Sequence, residues 1–137
     1  PQEQRIRAML AEAYMALGSP EAGLTSVREA LRAIEATNER FWHSDLRRVE
    51  GLLLVGSDPA AAEEAMRGAV ELASAQEAVG HRLRASLTLA EFLAGRGRAR
   101  EAADVLRSVR QAFPPDLAVP DLEAADRLLT ELEGREG

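Results

Sequence analysis

Small apolar residues return along this chain at a nearly constant interval: Ala30, Ala69 and Val109 are separated by 39 and then 40 residues. Around each of them the apolar residues recur every three or four positions, the period of one helix face. A repeat of this length built on helical periodicity is the signature of stacked helical hairpins. No single hairpin can bury its apolar face alone, so neighbouring repeats must supply the core.

Seven apolar runs follow the helical period. They are Ile6–Leu17, Leu24–Ile34, Trp42–Leu53, Ala62–Ala73, Leu83–Ala90, Ala102–Phe113 and Leu122–Leu132. The breaks between them are short. Gly18-Ser19-Pro20, Gly56-Ser57-Asp58-Pro59 and Gly95-Arg96-Gly97 stand within the three pairs. Thr37-Asn38 and Gly80 stand between pairs, and Pro114-Pro115 stops the sixth run. At the fourth helix, Ser57 or Asp58 is expected as the N-cap, with Pro59 in the first turn. Short connections make chain neighbours antiparallel. The pattern predicts an all-α chain in one domain over residues 1–137, with hairpins at 2–37, 40–79 and 81–113 and a capping helix at 119–133.

Individual positions resemble the tetratricopeptide (TPR) template. Leu10, Ala11 and Tyr14 precede Gly18, with Val27 and Ala30 after it and Gly23 at the small-residue position of a helix crossing. Leu89, Ala90, Leu93, Gly97, Ala102, Leu106 and Val109 repeat the arrangement, and Gly51 takes the small position of the middle hairpin. The resemblance implies a right-handed α-solenoid whose units exceed the 34-residue TPR period, with extra residues lengthening the helices. In such arrays the first helix of each pair lines a concave groove. Projection of the template places Arg5, Glu12, Asp45, Arg48, Arg84 and Glu91 there as candidate partner-binding residues, against the alternative of ordinary solvated charge.

Composition narrows the functional classes. A net charge of −6, with arginines interspersed among glutamates, argues against a basic face for nucleic acid. There is no Cys, hence neither a disulfide framework nor a thiolate metal site. The longest apolar stretch, Leu52-Leu53-Leu54-Val55, is one helical turn, too short to cross a membrane. No phosphate-binding glycine loop, zinc-protease or nucleophile-elbow motif occurs, so no catalytic residue and no cofactor is assigned. Glu77 and His81 have helical metal-ligand spacing, but Gly80 is expected to break a helix between them and further ligands are missing. Trp42, Tyr14, Met9, Met15 and Met66 read as core residues rather than ligand contacts. The arginine clusters 47–48 and 96/98/100 read as local cationic spots at the surface.

One longer stretch is more specific. Glu39-Arg40-Phe41-Trp42-His43-Ser44-Asp45-Leu46-Arg47-Arg48-Val49-Glu50-Gly51-Leu52-Leu53-Leu54 is followed by Asp58-Pro59 and Ala69-Val70-Glu71-Leu72-Ala73. Ser86-Leu87-Thr88-Leu89-Ala90, Gly97-Arg98-Ala99-Arg100-Glu101-Ala102 and Phe113 continue it, and Pro120-Asp121-Leu122-Glu123-Ala124-Ala125-Asp126-Arg127-Leu128-Leu129 closes it. Residues 39–132 thereby resemble the C-terminal TPR-like region of bacterial adenylate/guanylate cyclase–ATPase fusions and of large LuxR-type regulators. The resemblance implies a cytoplasmic, non-catalytic sensor or scaffold that contacts a protein, a peptide or other domains of its own chain. The first residue, Pro1, is not Met, and the expectation is a fragment of a longer protein with its chemistry upstream. The alternatives are a free-standing TPR adaptor holding a peptide in its groove and, from the enzyme class, a small hydrolase or metal enzyme using His81. An N-terminal face bearing Ile6, Leu10 and Leu17, stripped of upstream repeats, is expected to be exposed and to favour a homodimer.

Overall fold

A computed structural model of the chain describes residues 2–15, 18–37 and 41–136. Leu17, Asn38 and the side chains of Tyr14 and Met15 lie outside this description. The elements are α1 (Gln2–Met15), α2 (Pro20–Thr37), α3 (His43–Leu54), α4 (Pro59–Ala75), α5 (Val79–Gly95), α6 (Ala99–Arg110) and α7 (Pro120–Glu136). Among the described residues there is no strand. The chain is all-helical.

Local chemistry accounts for most helix ends. Asp58 caps α4, its side chain accepting from the Ala61 N–H at 3.1 Å, and Pro59 occupies the first turn, where its missing N–H costs nothing. Helices α4 and α5 end in the same reversal. The Ala78 N–H donates to the Ala73 carbonyl and the Arg98 N–H to the Leu93 carbonyl, each at 2.9 Å. In both, the preceding residue is left-handed: Gly97 at φ 77° and Glu77 at φ 55°. Gly80 is therefore not the breaker. It lies in the first turn of α5, while a glutamate makes the turn that glycine makes one hairpin later. Glu77 and His81 consequently belong to no common helix. Helix α6 stops at Arg110, ahead of the prolines. The Arg110 guanidinium donates to the Pro114 and Pro115 carbonyls at 3.2 and 2.9 Å and ties the connection to the helix end.

Each helix packs against its neighbours in sequence, and α1, α3, α5 and α7 also touch one another in succession. Two apolar clusters result. One joins α1, α2 and α3 through Ile6, Leu10, Val27, Ile34, Leu46, Val49 and Leu53. The other joins α4 to α7 through Met66, Leu83, Leu93, Leu106, Val109, Leu122 and Leu132. Between them, α3 meets α4 through a thin layer of alanine and glycine. Ala62, Ala65, Ala69 and Ala73 are buried on α4. A Cβ added at Gly51 would stand 2.8 Å from Met66 Cγ and 3.0 Å from the Ala62 carbonyl oxygen, so only glycine permits this approach. Ile6 and Leu10 are 0% and 7% exposed, which corrects the expected exposed N-terminal face. Their cluster partners on α2 and α3 already cover them. Phe41, Val55, Val79 and Leu117 are the large apolar side chains that remain exposed among the described residues.

Candidate functional site

The residues with the most unusual environment are charged ones on α3 and α5. Asp45 and Arg48 are one turn apart on α3 and face α5. Both are buried, at 2% and 6% exposure. Arg84 on α5 donates to Asp45 Oδ2 at 2.7 Å. His81, one turn earlier, holds Nδ1 3.4 Å from the same oxygen, without hydrogen-bond geometry. Arg48 Nε lies 3.7 Å from Asp45 Oδ1, and Arg48 Nη1 donates to Thr88 Oγ1 at 3.3 Å. Ser44, also buried, donates to the Ala69 carbonyl at 2.9 Å and holds α3 against α4 at the same level.

The sequence separations are informative. Asp45 and Arg84 are 39 residues apart, and Arg48 and Thr88 are 40 apart. Both equal the interval of the apolar repeat, so equivalent positions of successive hairpins face each other. Opposite charges one repeat apart were the signal for this pairing. Sequence reasoning named Asp45, Arg48 and Arg84 without joining them, and it missed Thr88 and the placement of the partly buried His81 beside Asp45.

Electrostatics follow from the geometry. Burial brings the Arg48 pKa down to about 10, helped by the neighbouring charge of Arg84 and opposed by Asp121 and Glu91. Glu91, exposed on α5, has its carboxyl pushed above the usual range by loss of solvent on its inner side, against the pull of Arg48.

Next to the charged cluster, residues of α3, α4 and α5 line a cavity of about 560 Å³. Leu52, Val55, Met66 and Phe92 give it an apolar lining, and Arg48, Thr88 and Glu91 form its polar side. The Arg96 guanidinium sits 5.8 Å from the Phe92 ring centroid at the mouth. Above the cluster, Phe41 stands edge-on to Trp42 and His81, with centroids 4.9 and 5.0 Å away. Trp42 is half-buried against the N-terminal core, with Arg7 5.4 Å from its ring centroid. The α3–α5 face thus runs from aromatic through charged to apolar.

The remaining candidates lie elsewhere. Arg5 pairs with Glu29 of α2 at 3.6 Å with both side chains half exposed, and Glu12 is exposed on α1. Neither enters the α3–α5 network. A second charged network, absent from the expected set, crosses from α4 to α6. Arg98 donates to both Glu63 oxygens, at 2.6 and 3.0 Å, and to Glu101 at 2.8 Å. These hydrogen bonds, with that of Arg67, bring the Glu63 pKa down to about 2. The cationic cluster expected around Arg98 is therefore partly neutralised. Among the described residues no group of three or more His, Cys, Asp or Glu side chains is placed to share a metal ion. No helix among them is long and apolar enough to cross a membrane. Comparison of the chain with protein-family models, with curated proteins and with solved structures gives no match.

Proposed function

We propose that this chain is a non-catalytic, TPR-like helical-repeat module that docks a protein or peptide on the face formed by α1, α3, α5 and α7. The observation that carries the reading is the packing order. The odd-numbered helices touch in succession, while no comparable packing joins the even-numbered ones among the described residues. A stack of hairpins with this asymmetry has its first helices crowded on one side, the side that becomes concave in a solenoid. The pairing of the buried Asp45 with Arg84 supports it, because it joins one hairpin to the next at the repeat interval. The α3–α5 face carries the one deeply buried guanidinium among the described residues together with a cavity of ligand-binding size.

The resemblance of residues 39–132 extends the proposal: the module serves as the cytoplasmic C-terminal regulatory region of a bacterial signalling ATPase, cyclase fusion or transcriptional regulator. An open reading frame with no nucleotide-binding domain upstream would remove that extension and leave a free-standing adaptor.

Selection of random phage-displayed peptides on the immobilised chain tests the docking face. Related peptides should be enriched. Their binding should be lost in Glu91→Arg, on the α5 face, and retained in Glu64→Arg, an exposed position on α4. Enrichment of no peptide family, or loss in Glu64→Arg alone, would overturn the reading.

A further inference from the structure

The cavity between α3 and α5 combines an apolar lining with a donor from α3 and an acceptor from α5. Leu52, Val55, Met66 and Phe92 offer contacts to an apolar group, and Val55 extends the apolar surface to the exterior. Beside them stand Arg48, whose N–H groups only donate, and the Glu91 carboxylate, which accepts when ionised.

Charge decides what kind of ligand fits. Three guanidinium groups, Arg48, Arg84 and Arg96, stand in or beside the cavity. Three carboxylates offset them: Asp45 through its ion pairs, Glu91 in the cavity wall, and Asp121, whose charge, like that of Glu91, favours the protonated Arg48 against its burial. A fatty acid or an alkyl amine would bring a charge into a site that is already balanced, and would have to shed its hydration for no added counter-charge. A neutral group that accepts from Arg48 and donates to Glu91 meets the site without that cost. A peptide unit has this pair of functions, and its apolar side chain suits the lining.

We infer that this cavity is an anchor pocket for one large apolar side chain of a bound peptide, with Arg48 donating to a peptide carbonyl and Glu91 accepting a peptide N–H. The inference rests on the docking reading above and specifies which residue of the partner the face reads. The pocket discriminates by side-chain size and rejects charged amphiphiles.

Gly95 provides a test that leaves the fold alone. It lines the cavity as the last residue of α5, its φ is not positive, and a Cβ there would meet nothing within 4 Å. Gly95→Leu should keep or raise the thermal midpoint while filling the mouth of the pocket. The probes are N-acetyl-L-leucinamide, N-acetylglycinamide and sodium octanoate, titrated into labelled chain and followed through backbone amide shifts. N-acetyl-L-leucinamide should give saturable shifts at residues 52–55 and 88–96. It should bind about tenfold or more tighter than N-acetylglycinamide, the ratio expected for partial burial of a leucine side chain. Gly95→Leu should abolish the shifts. Absence of shifts with N-acetyl-L-leucinamide, tighter binding of octanoate, or shifts that persist in Gly95→Leu would each overturn the pocket assignment. Phage-selected peptides that still need Glu91 but ignore Gly95→Leu would sink the anchor pocket and leave the docking face standing. Failure to select any peptide bears on the docking reading instead.

Discussion

Arg84 of α5 donates a 2.7 Å hydrogen bond to Asp45 of α3, a carboxylate with 3% of its side chain exposed and with His81 and Arg48 on its other sides. The pair joins the second hairpin to the third at the level where the N-terminal apolar cluster gives way to the C-terminal one. It ties α3 to α5, beside the apolar contacts that join α4 to α5.

Removing the charge of Asp45 should therefore be expensive. Asp45→Asn removes the carboxylate that stands between the buried Arg48 and Arg84 and leaves the two guanidinium groups to repel each other, and a loss of about 3 kcal/mol is expected. Asp45→Leu combined with Arg84→Met should lose less than the sum of the two single changes, because it removes both ends of the pair. Urea unfolding of the four variants and the parent checks both statements. A cost below about 1 kcal/mol for Asp45→Asn would mean that solvent reaches this site.

Gly51→Ala tests the α3–α5 scaffold from its rear. The added methyl gains about 1 kcal/mol of helix propensity. It also meets Met66 Cγ at 2.8 Å and the Ala62 backbone oxygen at 3.0 Å, and a backbone atom cannot swing away. A net destabilisation of about 1 kcal/mol is expected, read as a lower urea midpoint at unchanged slope. A stabilised variant would show that α4 can retreat freely.

Glu77 occupies a left-handed turn at φ 55° that Gly97 fills in the next hairpin. Glu77→Gly relieves the clash of Cβ with the backbone while giving the unfolded chain more freedom. A net gain of about 0.5 kcal/mol and a rise of a few degrees in Tm are expected. Gly97→Ala should move the midpoint the other way. Calorimetry on the two variants separates the effects.

The Glu63 carboxyl is held down at about 2 by hydrogen bonds from Arg98 and Arg67. A depressed folded-state pKa contributes stability that is fully present above the unfolded value of about 4.5. That contribution is lost as the pH falls from about 4.5 through about 2. Solvent reaches this surface network, so the contribution is set at about 1 kcal/mol, and added salt should shrink it. Comparing Glu63→Gln with the parent at pH 7 and at pH 2 measures it: the difference should be present at pH 7 and mostly gone at pH 2.

How much was legible beforehand varies residue by residue. Asp58 as N-cap, Pro59 in the first turn and Gly97 at a helix end rest on interactions within five residues, and each is found where local chemistry puts it. Gly80 misled, because glycine is only the preferred occupant of a left-handed turn and Glu77 took it instead. Ile6 and Leu10 misled differently. The expectation left the first hairpin uncovered, but α3 reaches α1 as well as α2.

The charged residues mark the boundary between the two kinds of knowledge. The sequence by itself determined the helices, their order and the spacing of about 40 residues, since these depend on periodicity and on caps and turns a few residues long. Along one helix, Asp45 and Arg48 read like any solvated pair, as do Glu12 and Arg5. Only the tertiary structure decided that α5 lies over the first two, burying them beside Arg84, while Glu12 and Arg5 remain exposed. Burial of a charge depends on which helix from another repeat covers it and on what that helix carries at the same level. No pattern within one helix contains that information, because the two partners are brought together by packing across a full repeat.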